Sequence, residues 1–311
     1  MTNIKKEYPL VIIGTGPAGL TASIYASRYR VDNLIIGQAM GGLVFEAHKI
    51  CNFPSEKEVT GRELTEKMQD HAQSLGASIL IDQVTKIRKE KNGFTISTGL
   101  GHDILAKTLL LAIGTKHRKL ELPNEDRFLG KGISYCATCD AMFYQDKTVA
   151  VIGGSDSAHT ASLYLSEIAK HVYQIYRGEK MRGEVAWIQQ LLENDKIEVI
   201  YNTQVTEVKG KDKLEGIVLD NSHNGQKEIS IHGLFIEIGT IPRTDLAKEL
   251  DLDLDQAGYI KVEGDQRASE KGIWAAGDIT TNSNGFRQIV NASSEGAVAA
   301  ESIFKYLQTL K

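Results

Sequence analysis

YPLVIIGTGPAG, residues 8–19, decides the fold. An apolar, β-branched run leads without a break into Gly14, Gly16 and Gly19, and the residues that follow, LTASIYASRYR, have the small and apolar spacing of a helix. That order is strand, tight turn, helix. In such a unit the first glycine permits the turn, the second lets the backbone approach a pyrophosphate, and the third allows close helix–strand packing. The helix N-terminus then offers free N–H groups and a favourable dipole to a phosphate. The second strand, NLIIG at 33–37, ends in Gly37 and Gln38, so the acidic residue that normally holds a ribose is missing.

A second copy begins at KTVAVIGGSDSA, residues 147–158, where another apolar strand runs into Gly153, Gly154, Ser155 and Ala158. A helical stretch, HTASLYLSEIAKH, and a strand, VYQIYR at 172–177, complete it. Two such units imply two nucleotides. Between and after them lie LLLAIGT (109–115) and GLFIEIGT (233–240), each a strand ending in a glycine turn, and GIWAAGD (272–278), a strand ending in small residues and an aspartate. A helix is expected over about 293–307, and surface loops at 209–213 and 221–228. The C-terminal portion has no glycine-rich unit of its own and must complete the first. The expected fold is therefore α/β, with two Rossmann-like (FAD/NAD(P)-binding) domains and the second inserted into the first. The expected boundaries are 1–119 with 244–311 for the outer domain and 120–243 for the inserted one. Prolines in LELPNE (120–125) and IPRTDL (241–246) suit hinges at the two crossings.

Composition narrows the function. The chain has 311 residues, 41% hydrophobic and 24% charged, the balance of a globular protein with more than one core. A formal charge of -4 argues against a nucleic-acid binder, which needs clustered positive charge to replace counterions. No basic leader and no bilayer-spanning apolar run is evident, so no membrane partner and a cytoplasmic location are expected.

The cysteines are Cys51, Cys136 and Cys139, too few for a secreted disulfide scaffold or a four-ligand zinc site. Cys136 and Cys139, in CATCDAMFY (136–144), read better as a redox-active pair than as a metal clip or a staple. Cys51 reads as a small buried residue. Trp187 and Trp274 read as packing residues.

The order GTGPAG, Gly41–Gly42, AIGT with Arg118 and Pro123, CATCD, GGSDSA, AAGD and Arg287–Gln288 resembles the low-molecular-weight thioredoxin reductases over nearly the whole chain. The resemblance implies an FAD-bound homodimer that takes electrons from NADPH and passes them, by way of flavin and a Cys136–Cys139 disulfide, to a thioredoxin-like protein. It places Gly14, Gly16, Pro17, Ala18 and Gly19 at the FAD pyrophosphate, Gly41, Gly42 and Asn52 along the flavin, and Gly277 and Asp278 at the ribityl chain. Arg287 and Gln288 would cover the isoalloxazine. Cys139 would face the flavin, Cys136 would attack the partner disulfide, and Asp140 would be the acid–base group. Gly153, Gly154, Ser155, Ala158, Arg177 and Arg182 would hold NADPH.

The sequence departs from the family pattern at particular positions. Ala141 stands where glycine is usual, and Leu43 where a glutamine commonly follows the double glycine. In YRGEKMR (176–182), Tyr176 and Gly178 replace a histidine and an arginine of the NADPH signature, and Ser155 takes a glycine's place in GGSDSA. These departures keep NADH or reduced ferredoxin open as donors. The reading from another class is a non-catalytic flavin-binding protein that uses the cysteine pair as a redox sensor or metal clip.

Overall fold

The first strand, Glu7–Ile13, is apolar without alternation because both of its faces are covered. Val11 and Ile13 point into one buried cluster, and Leu10 and Ile12 into another on the opposite side of the sheet. The computed structural model describes residues 4–282 and 285–310. The chain divides into two compact units: Met1–Lys116 with Pro242–Lys311, and His117–Ile241. The crossings thus fall at residues 116/117 and 241/242, two or three residues before the junctions expected from the prolines.

In the outer unit the strands run in the spatial order Ser78–Ile81, Asn33–Gly37, Glu7–Ile13, Asp103–Leu111, Gly93–Thr98, Val84–Glu90. The first four are parallel, the last two join antiparallel, and Ile273–Ala275 adds in parallel beside Asp103–Leu111. That order is the doubly wound Rossmann arrangement. The segment GIWAAGD therefore does complete the first sheet. The C-terminal helix is longer than its sequence suggests, Ile289–Thr309, and packs on the first helix, Pro17–Arg28. Small residues make that crossing close: a side chain at Gly296 would overlap the Ala18 carbonyl, with its Cβ 3.1 Å from Ala18 Cα. Trp274 is fully buried, and its indole N–H donates to Ser302 Oγ at 2.9 Å, a packing role.

The inserted unit has a parallel sheet in the order Ile197–Ile200, His171–Ile175, Thr148–Ile152, Gly233–Ile236, Ile133–Ser134. It also carries a three-stranded antiparallel sheet, Val205–Lys209, Gly216–His223 and Gln226–Ser230, where surface loops were expected at 209–213 and 221–228. Only a polar link at 210–215 and a turn at 224–225 are loops there. Most of Gln226–Ser230 is exposed, so its apolar alternation is too weak to mark a strand.

Candidate functional site

In the outer unit the glycine turn is built by three different constraints. Gly14 has φ +122°, and a Cβ there would meet the Ala112 backbone, 2.5 Å from its carbonyl carbon. At Gly19 a Cβ would collide with the Gly14 carbonyl, which fixes the helix against the strand. Gly16 is different: a Cβ there would meet nothing closer than the Gly41 carbonyl at 3.8 Å. Protein packing alone does not demand glycine at 16, whereas close approach of a phosphate does. Pro17 opens the helix, Ala18 and Gly19 are buried in its first turn, and neither a capping side chain nor an acidic residue competes for its free N–H groups. Gly41 and Gly42, with φ +79° and +58°, bring the next loop up to Gly16, and the Gly41 N–H donates to Thr15 O at 3.1 Å.

The AAGD turn lies in the same unit. Gly277 has φ +83°, and its N–H donates to Glu295 Oε2 at 2.8 Å. Thr280 Oγ1 donates to the same oxygen at 2.9 Å. Glu295 is a buried carboxylate on the C-terminal helix, and it holds this turn. It was not singled out in the sequence, although a lone acid on the small-residue stripe Ala292, Gly296, Ala299, Ala300 is the mark of one. Gly277, Asp278, Arg287, Asn291 and Glu295 line a pocket, and the buried Asn291 Oδ1 beside it accepts no hydrogen bond from the described residues. Burial pushes the Asp278 carboxyl up from its usual range; the Arg287 charge opposes that rise and Glu295 adds to it. The Arg287 guanidinium lies 3.9 Å from the centre of the Tyr259 ring and donates weakly to the Asp278 carbonyl at 3.4 Å. Asn52 Nδ2 donates to Gln288 Oε1 at 3.2 Å, so these two distant residues meet. A glycine turn with room at Gly16, an open helix N-terminus and an unsatisfied amide oxygen beside a polar pocket together fit a dinucleotide such as FAD.

Cys51 is exposed rather than buried. Its neighbour Ile50 pairs with Val59 and takes the buried position, which turns the next side chain outward.

In the inserted unit, Cys136 and Cys139 are joined as a disulfide with their Cα atoms 5.3 Å apart. Cys136 precedes the short helix Ala137–Asp140, and the Cys139 N–H donates to its sulfur at 3.1 Å. Cys139 is exposed and Cys136 half-buried. Ser134 Oγ accepts from the Cys136 N–H at 3.0 Å and donates to the Cys136 carbonyl at 3.2 Å. The preceding Tyr135 donates its hydroxyl to the buried Glu125 carboxylate, and burial followed by that bond raises the phenol's pKa. Ser134, Tyr135 and Glu125 escaped the sequence reading because nothing in their spacing marks them. Asp140 is half-buried at the end of the short helix. Ala141 has φ −53° and is fully buried, so this position does not need glycine's left-handed freedom.

The second glycine turn is more crowded than the first. Gly153 has φ +148°, and a Cβ there would lie 2.8 Å from the Ala158 methyl. Ser155, at the close-approach position, precedes the helix Asp156–Ile168 without capping it through its side chain. Arg177 and Arg182 are exposed. The backbone after Arg177 folds back onto the turn: the Arg182 N–H donates to Gly154 O at 2.8 Å, and the Glu184 N–H to Asp156 Oδ1 at 2.7 Å. A buried chain continues inward, with His159 Nε2 2.9 Å from Arg182 O and Gln174 Nε2 3.0 Å from both His159 Nδ1 and Gly153 O. The turn and its helix start, which no side chain caps although Asp156 lies in its first turn, still suit a nucleotide phosphate.

Comparison with known proteins agrees with this geometry. The family described as pyridine nucleotide-disulphide oxidoreductase matches residues 8–296. A thioredoxin reductase of Treponema pallidum is 38% identical over 99% of this chain and 100% of its own. The crystal structure of Lactococcus lactis thioredoxin reductase superposes with a TM-score of 0.92 at 33% identity, covering 97% of this chain and 99% of that one. That of T. acidophilum thioredoxin reductase gives 0.91 at 35% identity, covering 99% and 100%. The chain belongs to the pyridine nucleotide-disulphide oxidoreductase family, among its low-molecular-weight thioredoxin reductases, and is an FAD-dependent oxidoreductase.

Proposed function

We propose that the protein is a thioredoxin–disulfide reductase that draws electrons from NADPH and delivers them at Cys136–Cys139 to a thioredoxin-like protein, acting as a homodimer in the cytoplasm. The observation that carries this reading is a disulfide at the start of a short helix, next to a carboxylate, in a chain with two Rossmann units. A redox sensor would have no use for the second glycine turn or for Asp140.

Bound FAD supplies the two-electron chemistry that lets a pyridine nucleotide reduce a disulfide. Gly14, Gly16, Pro17, Ala18 and Gly19 would hold its pyrophosphate, and Gly41, Gly42, Asn52, Gly277, Asp278, Arg287 and Gln288 the rest of it. Gly153, Gly154, Ser155, Ala158, Arg177 and Arg182 would hold the nicotinamide nucleotide. Once reduced, Cys136 attacks a sulfur of the partner's disulfide as thiolate, forming a mixed disulfide and expelling a partner thiolate. The Cys139 thiolate then attacks Cys136 Sγ, which restores the intramolecular disulfide and releases the second partner thiolate. Two protons complete the partner's dithiol, and Asp140 is placed to supply one. Exposure alone would favour Cys139 as the attacking sulfur. The Cys139 N–H bond to Cys136 Sγ favours Cys136 instead, because it stabilises the thiolate that must attack.

The crowded second turn makes the donor the point to test. Anaerobic mixing of the yellow holoenzyme with NADPH, NADH or reduced ferredoxin separates the cases. Bleaching of the flavin absorbance by NADPH is expected; bleaching by reduced ferredoxin and by neither nucleotide would refute the nucleotide donor.

A further inference from the structure

The ring of Tyr176 is wedged between two glycines. A Cβ built on Gly154 would lie 2.5 Å from its Cγ and 2.6 Å from its Cε2, and one built on Gly178 would lie 2.7, 2.8 and 2.9 Å from its Cε1, Cζ and Oη. Neither glycine has a positive φ, so the backbone at both positions is open to any residue. At both positions the three atoms nearest to such a Cβ belong to the ring. The backbone that carries the ring is held in place, the Tyr176 N–H donating to Ile200 O at 2.9 Å and its carbonyl accepting from the Thr203 N–H at 3.2 Å. Gly178 is fixed in turn, its carbonyl accepting from the Asn202 N–H at 3.2 Å.

Tyr176 is the first residue after the strand His171–Ile175, the second strand of this glycine-turn unit. Residues at the end of that strand face the ribose 2′ position of a bound dinucleotide, where a carboxylate selects the hydroxyl and an arginine accepts a phosphate. Tyr176, Arg177 and Gly178 provide no carboxylate and one arginine, which is exposed. Arg182, also exposed, carries its guanidinium 6.0 Å from the centre of the Tyr176 ring.

We propose that Tyr176 determines donor specificity: wedged between Gly154 and Gly178, its ring keeps any side chain out of position 178 and leaves the 2′ position to exposed cations alone. Positions 176 and 178 are thus one determinant and cannot be changed independently. An exposed ion pair contributes a factor of at most about five, so Arg177 and Arg182 together give a preference for NADP+ over NAD+ of no more than about twenty-five-fold. The inference rests on the reading of residues 153–158 as the pyridine-nucleotide turn.

A binding cycle tests it. Dissociation constants of NADP+ and NAD+ are measured by calorimetry on the oxidised holoenzyme, for wild type, Tyr176→Ala, Gly178→Arg and the double variant. Gly178→Arg alone is expected to change the NADP+/NAD+ ratio by less than about twofold, since the ring leaves its side chain no ordered path to the phosphate. In the double variant a charge-assisted pair becomes possible, and the ratio should rise by about tenfold or more. Melting temperature gives a second reading that needs no arginine: Gly178→Ala should lower it, and Tyr176→Ala should recover most of the loss. The proposal is overturned if Gly178→Arg alone matches the double variant, if the double variant gains nothing, or if the effects of Gly178→Ala and Tyr176→Ala on melting simply add. Because binding is read without turnover, failure of this cycle leaves the thioredoxin reaction standing. Loss of thioredoxin reduction, conversely, leaves the cycle readable.

Discussion

Asp278 shows how one carboxylate can serve a site at the expense of the fold. Burial raises its pKa, only partly offset by Arg287, so the folded chain holds that proton more tightly than the unfolded chain does. For a group raised in this way, the stabilisation is complete below the unfolded value, about 3.9 for an aspartate, and is lost as pH climbs through the folded value. Asp278→Asn in the flavin-free protein should therefore be more stable than wild type near pH 7, with the gap narrowing on acidification towards about pH 4. Urea midpoints at a series of pH values measure this; a gap that does not change with pH would contradict it. At the same scale, Ala141 answers the question its sequence position raises. With φ −53° it sits in ordinary helical backbone, so the alanine imposes no strain on the cysteine turn. Glycine patterns were legible one residue at a time because each solves a steric problem. Glu295, Tyr135 and Glu125 were not, since a buried polar side chain is recognisable only once its partners are folded around it.

At the scale of elements, the C-terminal helix is the support of the outer glycine turn. Gly296 lets it settle on Ala18, and Glu295, one residue earlier, reaches the Gly277 turn. Gly296→Ala would force the two helices apart at the point where Ala18 follows the cradle. We expect a loss of about 1–3 kcal/mol in stability and faster flavin release, measured by denaturant unfolding and by the fluorescence of freed flavin. Retention of wild-type flavin affinity together with wild-type stability would show that this crossing does not support the turn. The central strands Glu7–Ile13, Asn33–Gly37, Thr148–Ile152, His171–Ile175 and Gly233–Ile236 were readable because burial on two faces writes continuous apolar runs, whereas short flanking strands such as Ser78–Ile81 and Ile197–Ile200 were not. The antiparallel sheet at Val205–Lys209, Gly216–His223 and Gln226–Ser230 was missed for the opposite reason: its exposed positions read as loop. The helix Ile289–Thr309 begins four residues before its expected start, because no side-chain cap or proline marks its N-terminus.

At the scale of the molecule, the repeated unit is the informative feature. Two glycine turns, one on the mixed outer sheet and one on the parallel inserted sheet, provide places for two nucleotides, and the cysteine pair belongs to the unit with the second turn. The order of motifs along the chain made the nested arrangement legible, since GIWAAGD has no other sheet to complete. The two turns nevertheless differ in a way the sequence understates. Gly16 leaves its close-approach position open, whereas the second turn has Ser155 there and the Tyr176 ring against Gly154. The donor side is thus where the two units differ most. The most direct test is anaerobic turnover of NADPH with a thioredoxin, comparing wild type with Cys139→Ser. Cys139→Ser should keep flavin bleaching, accumulate a mixed disulfide through Cys136 and lose thioredoxin turnover. Thioredoxin reduction at the wild-type rate in that variant would contradict the account.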